Sequence, residues 1–256
     1  MYSEERKALI LDYIQKKSRA SVQELGEYLN VSESTIRRDL KELEDLKLLK
    51  RTHGGAISVE NVNFEPTFRE KEDQYFLEKG AIAKRAVEFI KEGDTILLDS
   101  GTTIFHVVKE LKRFQKLTVV TNSLIFAHEL QDSQGIDVII IGGFLRRETL
   151  ALVGPLAEEA LSAIKVDKAF IATNGLDIKE GLTTPNLIEA STKRKMIESS
   201  KQVFLLADHS KIGKIAFAKF ANINKVDKLI IDDAVPEYTV KELIKLGIEV
   251  VTVTVS

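Results

Sequence analysis

The 256-residue chain contains no cysteine. This absence excludes a disulfide framework, a thiolate metal site and a cysteine nucleophile. The sequence also contains no apolar run near the roughly 18 residues that a membrane span needs. Its charged beginning, MYSEERKALI, lacks the apolar core of a signal peptide. We therefore expect a soluble, cytoplasmic protein that does not associate with a membrane.

An excess of positive charge is missing as well. The formal net charge is −2, and residues 1–58 carry 11 Lys or Arg against 10 Asp or Glu. Contacts to nucleic-acid phosphates therefore depend on where a few cations lie. The four histidines do not have metal-ligand spacing, so we expect no metal. The spacings of the Walker and dinucleotide-binding fingerprints are missing, and we expect no cofactor. His106 and His128 are expected on helices, partly exposed.

The periodicity divides the chain into two domains and a linker. Residues 1–58 contain three helical patterns and a short extended pair, and residues 76–256 alternate helical stretches with apolar runs. Residues 59–75 lack clear periodicity, so we predict a linker that packs in part through Phe64 and Phe68.

The alternation in the larger domain predicts an α/β fold with a mainly parallel sheet. Residues 138–141 do not alternate with polar side chains, so we expect this strand to be buried on both faces. The predicted strands are residues 95–98, 117–120, 138–141, 166–171, 203–206, 229–231 and 248–255.

Residues 20–39 have the features of a helix-turn-helix, in which a second helix can enter the major groove. Ser21 and Glu24 fit a capping box at the start of one helix, and Ser32 can cap the next. The apolar positions of that next helix form one stripe, namely Ile36, Leu40 and Leu43.

Polar side chains off this stripe are candidates for contacts with bases and phosphates. Residues 48–57 form two extended pieces around a Gly-Gly turn, which is the size of a wing. The pattern alone also fits a helical bundle with solvated charges. The predicted DNA-binding residues are Ser32, Ser34, Thr35, Arg37, Arg38, Lys41, Lys50, Arg51 and His53.

Polar and glycine residues follow the predicted strands, where ligands bind in open α/β sheets. In DSGTT at 99–103, glycine allows an anion to approach the backbone at a helix N-terminus, although simple capping uses the same residues. Lys211 or Arg146 can supply a compensating cation, and Arg146 with Arg147 can equally be loop cations. The predicted effector-binding residues are Asp99, Ser100, Gly101, Thr102, Thr103, Asn122, Gly142, Gly143, Arg146, Asn174 and Lys211.

Two parts of the chain resemble the DeoR family of bacterial sugar-metabolism transcriptional regulators. SESTIRRD at 32–39, followed by RTHGGA at 51–56, resembles the family's DNA-binding signature over residues 3–58. Residues 76–232 resemble its effector half. The effector markers are DSGTT at 99–103, VTN at 120–122, IGG at 141–143, TNG at 173–175 and DHSK at 208–211. One departure is GAI at 80–82, where a basic residue usually precedes the isoleucine.

The resemblance implies a winged helix-turn-helix and an effector domain similar in fold to ribose-5-phosphate isomerase. It implies a repressor of a sugar-utilisation operon that binds double-stranded operator DNA and is released by a phosphorylated sugar. The two-fold symmetry of such operators leads us to expect a homo-oligomer, a dimer or tetramer. Residues 99–103 and Lys211 become effector-site candidates, and no catalytic residue is expected.

The alternative is a sugar-phosphate isomerase-like enzyme with an appended DNA-binding domain. Its acid–base groups would be Asp99, Glu189, Asp208 and Lys211. Fold similarity does not transfer activity, which disfavours this alternative. A purely architectural DNA protein is disfavoured because it leaves the larger domain without a role.

Overall fold

The computed structural model describes residues 3–17, 19–46, 48–52, 54–58 and 65–255. Contacts divide the chain into two compact units, residues 1–64 and 65–256. His53 and Phe64, on which predictions were made above, lie outside the described residues.

The first unit is a winged helix-turn-helix. Its elements are α1 Ser3–Lys17, β1 Arg19–Ser21, α2 Val22–Leu29, α3 Glu33–Asp45, β2 Leu49–Thr52 and β3 Gly55–Ser58. Ser21 and Glu24 form the reciprocal capping box, and the Ser32 side chain accepts a hydrogen bond from the Thr35 N–H. Both predicted N-caps are therefore confirmed.

The wing is an antiparallel hairpin of β2 and β3, as residues 48–57 predicted. The structure adds β1, which pairs with the other side of β3. A Cβ at Gly55 would collide with the carbonyl oxygen of Ala20. Glycine at 55 therefore permits the close pairing of β1 with β3. This pairing joins the wing to the segment that begins α2.

The predicted stripe of α3 is buried in the core of the first unit. Ile36, Leu40 and Leu43 are at most 2% exposed. They belong to one apolar cluster with Ile10 and Ile14 of α1. Burial of this face leaves the polar side of α3 exposed.

The second unit contains the following elements in chain order. They are α4 Phe68–Glu72, α5 Phe76–Val87, β4 Thr95–Leu98, α6 Thr102–Glu110, β5 Leu117–Thr121, α7 Leu124–Leu130, β6 Ile136–Ile140, β7 Phe144–Arg146, β8 Ala151–Val153, α8 Pro155–Ser162, β9 Val166–Ala172, β10 Gly175–Asp177, β11 Gly181–Thr184, α9 Leu187–Glu198, β12 Ser200–Leu206, β13 Ala218–Ala221, β14 Lys228–Asp232, α10 Glu237–Lys245 and β15 Glu249–Val253.

The main sheet has the order β15-β14-β12-β9-β4-β5-β6. All of its ladders are parallel. The predicted α/β fold with an N-terminal winged helix-turn-helix is confirmed. The described residues also form two small antiparallel sheets that the sequence did not predict, β10-β11-β13 and β7-β8.

The segment predicted as a linker contains α4. Thr67 and Glu70 form a capping box at its start, and Phe68 is buried in the core of the second unit. The capping-box spacing is present in the sequence, but the segment is too short to display a helical period.

Two burial predictions are wrong. In β6, Ile139 and Ile140 are 47% and 45% exposed, because the strand lies at the edge of the sheet. His106 is only 7% exposed, since its ring packs against Phe76. Burial, followed by the nearby Lys109, lowers the pKa of His106 to about 4.

The order of the strands reverses at β4. From β4 the sheet continues through β5 and β6 on one side, and through β9, β12, β14 and β15 on the other. Ligand crevices in open α/β sheets lie beyond the carboxyl ends of the strands at such a switch point. Among the described residues, no helix is long and apolar enough to span a bilayer.

Candidate functional site

A cavity lies beyond the carboxyl ends of β4, β9 and β12. Six predicted effector residues line it, and three strand-end loops bring them together. They are Ser100, Gly101, Thr102, Thr103, Asn174 and Lys211. Residues of α4, α5 and α9 contribute further lining.

The loop after β4 presents hydrogen-bond donors to the cavity. Gly101 precedes α6 in an extended conformation, and its carbonyl accepts the N–H of Phe105. The N–H groups of the first turn of α6 therefore lack helical acceptors. The Ser100 Oγ is buried and unpartnered within the described part of the chain. Together these groups can accept an anion.

Lysines also line the cavity. Lys71 and Lys79 come from α4 and α5, Lys193 from α9, and Lys211 from the turn after β12. Burial, followed by repulsion from Lys211, lowers the pKa of Lys79 to about 8. Its Nζ donates a hydrogen bond to the carbonyl of Lys71. The cavity therefore has a cationic wall.

The residues predicted from the sequence did not include Lys71, Lys79 or Lys193. Lys79 directly precedes the GAI departure at 80–82, and this proximity was the available signal. Lys193 lies in the charged run TKRK at 192–195, in which the sequence does not distinguish the buried lysine from its exposed neighbours.

Asp99 lies below the cavity and does not line it. It forms a buried ion pair with Lys193, and its Oδ2 accepts the N–H of Ala172 at 2.9 Å. Burial opposes charge on Lys193, but Asp99 and then Glu189 outweigh it and raise the pKa of Lys193. Asp99 thus positions a cationic lining residue.

Arg146 does not line the cavity but contacts a carboxylate that does. Its Nη1 lies 2.8 Å from Oε2 of Glu189, and its Nη2 lies 2.8 Å from Oε2 of Glu65. Glu189 also lies 3.7 Å from the Nζ of Lys193. Burial raises the pKa of Glu189, and Lys193 opposes this shift.

Three predicted effector residues support the β7-β8 hairpin instead of lining the cavity. The Asn122 Nδ2 donates to the Leu152 carbonyl at 3.0 Å. Gly142 and Gly143 follow β6 and lead into β7, where a Cβ at Gly143 would meet the backbone of Val153. The loops after β5 and β6 therefore pack against the β7-β8 hairpin and do not line the cavity.

The loop after β12 combines several ionisable groups. Asp208 is buried, and its Oδ1 accepts the N–H of Ser210 at 3.0 Å. Burial opposes charge on Asp208, but Lys211 and the Ser210 hydrogen bond lower its pKa. His209 Nδ1 lies 2.7 Å from Asp232 Oδ1. Among the described residues, no group of three or more His, Asp or Glu side chains is arranged to hold a metal ion.

The first unit contains a second candidate site on the polar side of α3. Most predicted DNA-binding residues of the described chain are exposed there and on β2, and Thr35 is half-buried. The exposed ones are Ser32, Ser34, Arg37, Arg38, Lys41, Lys50 and Arg51. Arg37 pairs with Glu33 at 3.1 Å, and Arg51 pairs with Glu44 at 2.7 Å. His53 lies outside the described residues.

A buried ion pair stabilises α3 on the side opposite to this exposed surface. Arg6 of α1 contacts Asp39 through two hydrogen bonds, with 3.0 Å between Nη2 and Oδ1. Asp39 was part of the quoted signature, but its structural role was not predicted.

Two protein-family models match the chain. One describes a DeoR-like helix-turn-helix domain and matches residues 6–62. The other describes the DeoR C terminal sensor domain and matches residues 76–233. The fold, the exposed face of α3 and these matches define a DNA-binding transcriptional regulator. The chain belongs to the DeoR family.

Named relatives agree with this assignment. The chain is 41% identical to the HTH-type transcriptional regulator GlpR of Haloferax volcanii over 98% of both chains. It is 38% identical to the HTH-type transcriptional repressor GlcR of Bacillus subtilis, over 91% of this chain and 89% of the relative. These names support a regulator and not the isomerase-like enzyme.

The chain also has a partial structural likeness to solved proteins. Ribose 5-phosphate isomerase A of Methanocaldococcus jannaschii aligns with a TM-score of 0.40 and 17% identity, over 55% of each chain.

Proposed function

We propose that this regulator represses a sugar-utilisation operon and releases its operator when a phosphorylated sugar binds beyond β4, β9 and β12. One observation carries the proposal: a helix N-terminus, several lysines and buried carboxylates converge on one cavity. The helix N-terminus and the lysines favour a phosphate, and the carboxylates can accept hydrogen bonds from sugar hydroxyls.

The phosphate would bind at the start of α6. Backbone N–H groups and the positive end of a helix favour an anion. The Ser100 and Thr102 hydroxyls can add hydrogen bonds. Lys79 and Lys211 can neutralise the phosphate, and their attraction to it offsets the repulsion between them.

The sugar would extend toward α9. Glu189 can accept hydrogen bonds from hydroxyl groups, and Asn174 can both donate and accept them. Its Oδ1 already accepts the Thr184 hydroxyl at 3.2 Å, which orients the amide. A polar wall of this kind distinguishes a phosphorylated sugar from inorganic phosphate.

Operator binding would use α3 in the major groove, as in other helix-turn-helix proteins. Arg37 and Arg38 would contact bases or phosphates, with shorter contacts from Ser34 and Thr35. Lys50 and Arg51 of the wing would contact a flanking strand. Two half-sites of a symmetric operator require two copies, so we infer a homo-oligomer, a dimer or tetramer.

Repression and induction follow if the effector binds the DNA-competent and incompetent arrangements unequally. The name of the GlcR relative supports repression. The operator would be selected from a random DNA library with the effector-free protein. Its affinity would then be measured with fructose 1-phosphate, fructose 6-phosphate and glucose 6-phosphate.

We expect at least one of these sugars to lower operator affinity and raise the melting temperature of the protein. The unphosphorylated sugar and inorganic phosphate serve as ligand controls. Lys79→Met should weaken the response, whereas Lys84→Met, on the exposed side of the same helix, should retain it. If a broad panel of phosphorylated sugars changes neither quantity, the proposal is wrong.

A further inference from the structure

Glu65 is the first residue of the second unit, and its side chain is only 4% exposed. One carboxylate oxygen lies 2.8 Å from Arg146 Nη2, and the other lies 3.2 Å from Lys71 Nζ. Two cations therefore hold the carboxylate at the point where the chain enters this unit. Residue 65 is covalently continuous with the DNA-binding unit through residues 59–64.

Arg146 contacts this carboxylate and, at the same time, a carboxylate that lines the cavity. Its other terminal nitrogen, Nη1, lies 2.8 Å from Oε2 of Glu189, which lines the cavity. The guanidinium is planar and its donors are fixed relative to one another. A shift of Glu189 therefore changes the geometry available to Glu65.

The second cation on Glu65 also faces the cavity. Lys71 is one of its lining residues, and its side chain is 22% exposed. An anion bound in the cavity attracts Lys71 and repels the two carboxylates. In a partly buried site these forces are weakly screened. Ligand binding thus acts on both contacts of Glu65.

The neighbouring backbone is attached to the same loop. The N–H of Phe68 donates to the carbonyl of Glu148 at 2.8 Å, two residues after Arg146. The start of α4 and the end of β7 are consequently joined twice, once through the backbone and once through Arg146 and Glu65.

We propose that Arg146, which holds Glu65 and Glu189 together, transmits the occupancy of the cavity to the chain segment that leads to the DNA-binding unit. This inference rests on the proposed function, because it concerns the regulation of the same site. Glu65 and Arg146 act as positioning residues that lie outside the cavity lining. The Glu65 carboxylate is the group on which transmission depends.

The test compares the full-length wild type with Glu65→Gln, which keeps the side-chain size and removes the charge. Two quantities are measured with the most effective phosphorylated sugar of the panel above. One is the dissociation constant of that sugar, by calorimetry. The other is the factor by which a saturating concentration lowers operator affinity.

We expect Glu65→Gln to bind the sugar within about tenfold of wild type while the operator factor falls toward 1. In a wild type with typical allosteric coupling this factor is roughly 5- to 150-fold. Glu148→Gln is the matched control, since Glu148 also approaches Arg146 but at 3.7 Å and with a 48% exposed side chain. It should keep the wild-type factor.

Arg146→Gln provides a second variant in case Glu65→Gln destabilises the fold. Arg146→Gln should also reduce the operator factor. The double variant with Glu65→Gln and Arg146→Gln should reduce this factor little further, because both changes break one linked set of contacts. If either folded variant keeps the wild-type factor, or if Glu65→Gln no longer binds the sugar, the inference is overturned. A wild type that responds to no sugar contradicts the proposed function instead.

Discussion

Arg6 and Asp39 form a buried ion pair that joins α1 to α3, with Nη2 and Oδ1 3.0 Å apart and Asp39 fully buried. The pair lies on the inner side of the helix whose outer side carries Arg37 and Arg38. It ties the orientation of α3, the proposed DNA-contacting helix, to the core of the first unit.

Asp39→Ala should destabilise the first unit by about 3 kcal/mol, because it leaves the Arg6 cation without its partner. Hydrogen exchange of peptides from α1 and α3, measured by mass spectrometry, would report this loss. Glu33→Ala removes an exposed i,i+4 pair and should change stability by less than about 0.5 kcal/mol. Equal protection in the two variants would contradict a supporting role for Asp39.

Arg37→Ala and Arg38→Ala should each lower operator affinity by roughly 5- to 150-fold, which corresponds to about 1–3 kcal/mol per specific contact. If the substituted residue contacts a phosphate, its replacement should also reduce the salt dependence of binding. Affinity measured by fluorescence anisotropy at several salt concentrations separates these roles. Lys84→Ala, in the second unit, is the control. Unchanged affinity in both arginine variants would overturn the assignment of the DNA-contacting face.

Gly55→Ala should disrupt the wing, whereas Gly54→Ala should be tolerated. A Cβ at 55 meets backbone atoms of Ala20 and Ser21, but a Cβ at 54 has no atom within 4 Å in the described structure. Displacing this backbone should cost on the order of 1–3 kcal/mol. We expect faster exchange at β1 and weaker operator binding for Gly55→Ala only. Matching behaviour of the two variants would exclude close packing as the reason for glycine at 55.

Effector affinity should fall as pH rises above about 8. Burial, with Lys211 next, holds the pKa of Lys79 at about 8, so the effector-free protein loses this charge there. A bound phosphate favours the charged form, so binding takes up a proton in this pH range. The affinity should decrease by up to tenfold per pH unit. Phosphate itself has its second pKa near 6 and does not account for the change.

Calorimetry in buffers of different ionisation enthalpy would measure that proton uptake. Lys79→Met should bind less tightly at pH 7 and have a flatter pH profile above 8. The lowered pKa of Lys79 also affects the free energy of unfolding. Between about pH 8 and pH 10.5, which is the ordinary pKa of lysine, the unfolded chain binds more protons than the folded protein. The contribution of Lys79 to stability therefore rises with pH in this range. A wild-type affinity that is constant from pH 7 to 10 would contradict the role of Lys79.

Local sequence patterns predicted much of the fold. Ser21 and Ser32 form caps because their hydroxyls meet backbone groups only three residues away. The stripe at Ile36 and Leu40 predicted the buried face of α3, since helical periodicity acts within one element. Edge and central strands were not separable on this basis, which is why Ile139 and Ile140 were predicted to be buried.

The residues that line the candidate cavity were predictable only where a motif coincides with the end of a strand, as at residues 100–103 and Lys211. Lys79 and Lys193 come from helices in which other lysines face solvent, so their burial depends on partners distant in the chain. Asn122 and Gly143 follow strands in the predicted manner, but the β7-β8 hairpin occupies their side of the sheet.

The sequence by itself determined the second helix of the helix-turn-helix and its caps, the parallel α/β domain and the glycine loop that begins α6. These features depend on residues within a few positions of one another. Tertiary structure alone decided which charges are paired and where. Arg146 was predicted as a candidate cation of the effector site, yet it pairs with Glu65 and Glu189, 81 and 43 residues away. Such contacts arise from the packing of separate elements, which local periodicity does not encode.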